Sequence, residues 1–274
     1  MSPLHLSATL ACLSLAACTG TVAGSTDTST AGSSPASAGD WTCVAAATHA
    51  GTLVTFHAAQ ATTPPSTGDS FTVHFREAYS AADVGGVLVL ACSMFDEDCA
   101  SPLAHTQADD AGLATLDVPG GLPSFNGYLQ VTAAAMPTNL VFVPGRRPAY
   151  GSSAIDIDVY TATALGTAAT LAGVTIGPAL GVLRVDAHDC ANAPAAGVAL
   201  AIGSQDGPVV TRYLTSDGAD LPQSRSTTDA TGTAFAFGVV SGMIGIAAKV
   251  DGAPVGGSIG FARAGAVSSV LVRP

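Results

Sequence analysis

Charge is scarce in this chain of 274 residues, only 11% of which are Asp, Glu, Lys or Arg, and the first basic residue of either kind is Arg76. Nine basic residues stand against twenty acidic ones, a formal net charge of −11. Such a surface repels nucleic-acid phosphates and anionic lipid headgroups, so neither is expected as a direct partner. Aromatic residues are also few, at 5% with one Trp, while 48% of the chain is apolar. That apolar fraction excludes disorder of the whole chain. Its apolar residues are mostly Ala and Val, and Gly is frequent, which favours short strands and tight turns over leucine-rich helical bundles. Long apolar runs suited to a membrane are missing too. Val159 to Leu183 is 25 residues without charge, but four Gly, Pro178 and five Thr interrupt it, against a true span.

The N-terminus carries an address. Residues 4–17, LHLSATLACLSLAA, are an apolar segment too short to span a bilayer and of the length of a signal-peptide core. Cys18 follows at once, and Leu15-Ala16-Ala17-Cys18 resembles the lipobox of bacterial lipoproteins, although the first residues, MSPLH, hold no Lys or Arg. The resemblance implies cleavage before Cys18, a diacylglycerol on its thiol and an acylated amine, giving a stable membrane anchor. Thr19 follows the Cys, so the Asp that retains some lipoproteins in the inner membrane is absent, which favours an outer membrane. Residues 19–40 are nearly all Ser, Thr, Gly and Ala and read as a flexible tether.

The six cysteines divide by this scheme. Cys12 leaves with the signal and Cys18 takes lipid, leaving Cys43, Cys92, Cys99 and Cys190. Four Cys in an exported chain point to disulfides and allow three connectivities. A local bridge between Cys92 and Cys99 around SMFDED is the first choice; Cys43 and Cys190 then pair across the chain or stay reduced. Zinc is the alternative, but CxxC is absent and His188, two before Cys190, stands alone.

Self-similarity organises the rest. One unit runs FTVHFREAYSAADVGGVLVLACS (71–93), DDAGLATLDV, FNGYLQVTA and NLVFV; the other runs GVLRVDAHDCANAPAAGVALAIG (181–203), TTDATGTAFAFG, MIGIAAKV and VSSVLVR. Gly86-Val87 aligns with Gly197-Val198, and the acid-x-x-Gly turn of Asp109 and Gly112 with that of Asp229 and Gly232. Each piece is a five- to eight-residue run alternating apolar and polar between turn residues, so two small antiparallel β-sandwiches follow. Gly181-Val182, Pro194-Ala195-Ala196-Gly197-Val198, Thr228-Asp229-Ala230-Thr231-Gly232 and Ser241-Gly242 resemble a carboxypeptidase regulatory-like domain. That resemblance covers 181–274 well and 71–145 more loosely. It implies the prealbumin (transthyretin-like) sandwich that serves as a non-catalytic module in many exported proteins.

Signs of catalysis are lacking. Gly256-Gly257-Ser258-Ile259-Gly260 has the G-x-S-x-G form, but no Asp, Glu or His follows it, so it reads as a turn between strands. The prealbumin-like fold also underlies intradiol dioxygenases, yet no Tyr–His grouping stands here, and His49, His57, His74, His105 and His188 are isolated. Asp96-Glu97-Asp98 is the one dense acidic cluster; as a calcium site it lacks the EF-hand's remaining ligands, and a solvated loop is preferred. No cofactor and no enzymatic activity are expected.

The expected organisation is a signal peptide at 1–17, a lipidated Cys and linker at 18–40, a first sandwich at 41–150, a connector at 151–180 with a short helix, and a second sandwich at 181–274. Residues 41–60 are expected to add a leading strand or two to the first unit. The whole reads as an all-β, exported, lipid-anchored envelope protein acting as a structural or adhesion-type interaction module. Protein or glycan would be met by exposed loops such as 93–98 and 212–222. A carbohydrate-binding accessory module is the second reading, disfavoured by the few aromatics that could form a sugar platform.

Overall fold

The computed structural model describes residues 39–44, 70–119, 125–134, 136–144, 153–203, 209–213 and 225–274. Cys18, the expected signal peptide, most of the expected tether, residues 45–60 and most of the 212–222 loop lie outside them. Fourteen strands and one helix form the described body. They are β1 (Ser70–Glu77), β2 (Leu88–Ser93), β3 (Ala104–Gln107), β4 (Leu113–Asp117), β5 (Gly127–Thr132), β6 (Thr138–Phe142) and β7 (Ala154–Val159). Then come α1 (Ala162–Ala172), β8 (Gly181–Ala187), β9 (Val198–Gly203), β10 (Val210–Tyr213), β11 (Thr233–Val239), β12 (Gly242–Val250), β13 (Ala253–Ala262) and β14 (Ala266–Val272).

The chain is an all-β protein built of sandwiches. A three-stranded sheet β4-β1-β7 packs on β6-β5-β2-β3, and a three-stranded sheet β13-β12-β9 packs on β10-β11-β8-β14. Alternation in β1 explains the first core: Phe71, Val73 and Phe75 turn inward to meet Val89, Leu129, Val131 and Val141. The two larger sheets are joined, because β14 pairs in parallel with β6 and so creates one eight-stranded sheet. This sheet is covered on both faces. Leu140, Phe142, Leu183 and Val270 point into the core beneath β12 and β13, while Val182, Val267, Phe235 and Phe237 lie under α1. All seven residues of β14 are consequently buried, and its sequence AVSSVLV lacks the alternation of a half-exposed strand.

Three expectations are corrected. The connector expected at 151–180 begins with a strand, β7, which pairs in parallel with β1 and completes the first sandwich. The sandwiches are also not purely antiparallel, since β1–β7, β14–β8 and β14–β6 run parallel. Finally, Gly256–Gly260 is not a turn but part of β13. A side chain at Gly256 would run into the Arg273 carbonyl, so these glycines admit a close backbone approach.

The helix is short and made of small residues. Thr161 caps it, its hydroxyl accepting from the Ala164 N–H at 3.1 Å, and Gly173 closes it in the left-handed conformation at φ 64°. Ala164, Ala168, Ala169 and Ala172 form the buried face, which lets the helix axis come close to Phe235 and Phe237. No helix among the described residues is long and apolar enough to cross a membrane.

Candidate functional site

The acid-x-x-Gly turns are structural. Asp109 accepts from the backbone of Ala111 and Leu113 at 3.0 and 2.8 Å, and Asp229 from Thr231 N–H and hydroxyl at 2.8 and 2.7 Å. Gly112 and Gly232 follow at φ 73° and 67°, a region costly for any residue with a Cβ.

Both disulfides are present: Cys92–Cys99 and Cys43–Cys190. The first closes the loop between β2 and β3, which is held at four further points. Asp96 accepts from Ala100 N–H at 3.0 Å and Ser101 N–H at 2.8 Å. The Tyr128 hydroxyl donates to the Asp96 carbonyl at 2.6 Å. Arg263, in the turn between β13 and β14, donates to the Glu97 carbonyl, to Gln130 at 2.5 Å and to the Tyr128 oxygen at 2.8 Å. Its guanidinium also lies 5.7 Å from the Tyr128 ring centre and 5.5 Å from that of Phe261. The Ser101 and Ala100 N–H groups, with the charge of Arg263, hold the Asp96 pKa below the usual carboxylate range. Burial pushes the Tyr128 phenol up, so it remains a donor.

This clamped loop presents Phe95 with 81% of its surface exposed, the most of any large apolar residue described, and Leu103 follows at 50%. Glu97 and Asp98 are exposed beside it. In the acidic cluster read from sequence, Asp96 bonds its own loop's backbone while Glu97 and Asp98 face solvent. No group of three or more His, Cys, Asp or Glu side chains among the described residues is placed to hold a metal ion. Sequence reasoning found the loop through its cysteines but missed Phe95 and Arg263. Arg263 lies 164 residues beyond Cys99, and only the strand order brings it back.

The second disulfide lies elsewhere. Residues 42–44 form a helical turn, and the segment docks on the second sandwich rather than adding a strand to the first. Asp40 N–H donates to the Asp189 carboxylate and its carbonyl accepts from Cys190 N–H, both at 2.8 Å. Trp41 packs against the second core, so the one Trp is not a presented sugar platform. Tyr128, Tyr160 and Tyr213 are buried as well; Tyr79, 40% exposed, borders a shallow depression of about 410 Å³ with Glu77, Ser80, Thr161 and Thr167. Glu77 is spent there on its own turn, accepting from Tyr79 and Ser80 N–H at 3.0 and 2.7 Å.

A polar network joins the sandwiches. Arg184 on β8 reaches Asp158 on β7 and Asp186, each at 2.9 Å, with its guanidinium 5.8 Å from the Tyr160 ring centre. Burial alone would disfavour the guanidinium charge, but Asp186, Tyr160 and Asp158 outweigh it and hold Arg184 protonated. Asn139 on β6 completes the junction, accepting from Tyr160 N–H at 2.8 Å and donating to its carbonyl at 3.2 Å. His74, another isolated histidine of the sequence, is a satisfied sheet residue between Asp83 at 2.9 Å and Asp156 at 3.1 Å.

Fold and site together define a disulfide-bonded, tandem β-sandwich protein with one constrained, presented loop. No family profile matches the chain, and no curated protein does. Among solved structures it is similar to the shaft pilin SpaA of Lactobacillus rhamnosus GG, at 12% identity over 76% of this chain and 98% of that one, with a TM-score of 0.23. It is similar to the Bacillus anthracis TIE protein at 11% identity over 76% of this chain and 34% of that one, TM-score 0.24. The pilus backbone RrgB of Streptococcus pneumoniae matches at 8% identity over 77% and 66%, TM-score 0.21. Likenesses this remote carry no argument about function.

Proposed function

We propose that this chain is a lipid-anchored bacterial envelope protein that acts as a non-catalytic interaction module, engaging a protein partner through the loop between β2 and β3. The observation that carries the reading is Phe95: an aromatic side chain 81% exposed on a loop fixed by a disulfide, a carboxylate cap and Arg263. Exposing such a side chain is unfavourable in water, and holding it still lowers the ordering cost of binding. Interface anchors are typically aromatic residues of this kind, rimmed by polar groups that exclude water. The lipobox at Cys18 supplies the anchor, and the carboxypeptidase regulatory-like turn motif fits a module without catalysis.

The test replaces Phe95 with a photoreactive phenylalanine analogue in the native cell envelope, with Leu113, on β4, as the control position. A protein adduct at position 95, absent at 113 and competed away by added protein but not by its Phe95→Ala variant, supports the reading. Labelling equal at both positions overturns the loop as the recognition element. Mass spectrometry of the native N-terminus tests the anchor separately, since an unacylated Cys18 would sink it. The carbohydrate reading has one feature in its favour, the Tyr79 depression with its hydroxyl lining. Glycan-array binding lost in Tyr79→Ala and kept in Phe95→Ala would transfer the function there.

A further inference from the structure

We infer that the Cys43–Cys190 disulfide is a staple that passes a pull applied between the tether and the chain beyond Cys190 straight through the second sandwich, so that the first sandwich is loaded only by what binds its own loop. The inference rests on the proposed reading only in taking the segment before Cys43 as the attached end. The bond spans 147 residues, and the covalent ring it closes contains β1 to β7, α1 and β8. Everything in that ring, including the Phe95 loop, is bypassed by a pull that enters before Cys43 and leaves after Cys190.

Geometry completes the route. Cys190 follows β8, and the Ala187 position at the end of that strand pairs with Val272 at the end of β14. The His188 N–H then donates to the Val272 carbonyl at 2.9 Å. The staple therefore sits beside the point where the chain leaves β14. Arg263 and the Phe95 loop lie at the other end of the same strand, and seven residues of strand separate the two ends by roughly 20 Å. The tether is thus held at one end of the second sandwich and the presented loop at the opposite end. Asp189 keeps the turn that receives the staple in shape, accepting from Ala191 and Ala193 N–H at 3.0 and 2.9 Å.

The two disulfides also differ in access. Cys43 is exposed, whereas Cys92 is fully buried and Cys99 is 7% exposed. Thiolate attack needs access to a sulfur, so mild reductant opens the staple first and puts the first sandwich in series with the tether. Extensibility becomes a redox-set property.

Single-molecule force spectroscopy on the full chain, with handles fused at both termini, reads this directly. Oxidised protein is expected to omit the 147-residue ring from its released contour. Mild reductant should add it, a gain on the order of 500 Å at 3.3–3.6 Å per residue. The gain should persist in a Cys92→Ser, Cys99→Ser variant. In Cys43→Ser the long contour should appear without reductant. Oxidised chains that already release the full contour would overturn the proposal, as would a reductant gain that depends on Cys92 and Cys99. If Cys43→Ser fails to fold, the wild-type comparison with and without reductant decides alone. Acylation of Cys18 plays no part in the measurement.

Discussion

The two sandwiches repeat each other bond by bond around one turn and diverge at one strand. In the first, Phe75 N–H donates to the Gly112 carbonyl and Val84 N–H to that of Phe75; in the second, Ala187 N–H donates to Gly232 and Ala195 N–H to Ala187. Gly86 and Gly197, at φ 71° and 79°, donate to Ala108 and Thr228 in the same way. Even a non-glycine residue in left-handed conformation recurs, Ala81 at φ 54° and Asn192 at 63°, each three residues before the Val84 or Ala195 amide. The order β4-β1-β7 in one copy is β11-β8-β14 in the other, and the order β5-β2 is β12-β9. Within each sandwich, among the described residues, it is the third strand that breaks the correspondence: β3 pairs with β2, whereas β10 pairs with β11 in the opposite sheet. That switch makes β2 and β3 a hairpin, and its tip carries Cys92, Phe95 and Cys99. What repeats is the turn chemistry that closes the fold; what differs is the element presented to solvent.

The comparison breaks first at the cysteines. Each copy contributes to one disulfide, but the closed loops span 147 and 7 residues. On the chain-entropy account, removing Cys43–Cys190 costs about 5 kcal/mol and removing Cys92–Cys99 about 2 kcal/mol. Urea unfolding of the two double-serine variants checks this, and equal losses would contradict it. Next comes the junction. Arg184 has no counterpart pairing in the first copy, and Arg184→Met leaves Asp158 and Asp186 without their cation at side-chain exposures of 31% and 10%. The expected loss is about 3 kcal/mol, by the same unfolding measurement.

How much of this was legible in sequence follows from what each feature depends on. The turns were, because Asp-x-x-Gly is local: each carboxylate bonds the amide two residues on, and the glycine supplies the positive φ. The tandem repeat, the short helix of the 151–180 connector and the local disulfide follow from equally short-range signals. The joining of two sheets into one was hidden, because β14 carries no mark distinguishing a strand that pairs with its own sandwich from one that also pairs with the neighbouring sandwich. Its continuous burial is readable only as a strand covered twice. The glycines of β13 misled for a related reason. Glycine serves a turn and a close backbone crossing alike, and only the position of Arg273 separates the two.

Smaller changes sharpen the repeat itself. A Cβ at Gly112 would stand 2.6 Å from the Phe75 carbonyl oxygen, and at Gly232 it would press on the equivalent oxygen of Ala187. Gly112→Ala and Gly232→Ala should each cost about 2–3 kcal/mol, nearly equally if the turns are equivalent. The preceding acids should not match. Asp229 is 8% exposed and Asp109 is exposed, so Asp229→Ala is expected to cost about 1.5 kcal/mol and Asp109→Ala about 0.5 kcal/mol. Thermal midpoints of the four variants provide the ranking.

The smallest expected effect concerns the feature the second copy lacks, the acid-capped loop. Asp96 accepts from the N–H groups of Ser101 and Ala100, and these hold its pKa below the ordinary carboxylate value. A carboxylate whose pKa is lower folded than unfolded stabilises the native loop above the unfolded value of about 3.9, and the contribution is lost as pH falls through the folded value. At pH 7 the cap is intact; in strong acid the Ala100 and Ser101 amides lose their acceptor. The Cys92–Cys99 bond does not titrate, so the loop should loosen without the sandwich unfolding, and the change should be local to 94–101. Amide chemical shifts of Ala100 and Ser101 followed from pH 6 downward should titrate with a midpoint below 3.9, and this titration should vanish in Asp96→Asn. A midpoint at or above the free aspartate value would show that the cap is not formed, and Phe95 would then be carried on a loop held by its disulfide and Arg263 alone.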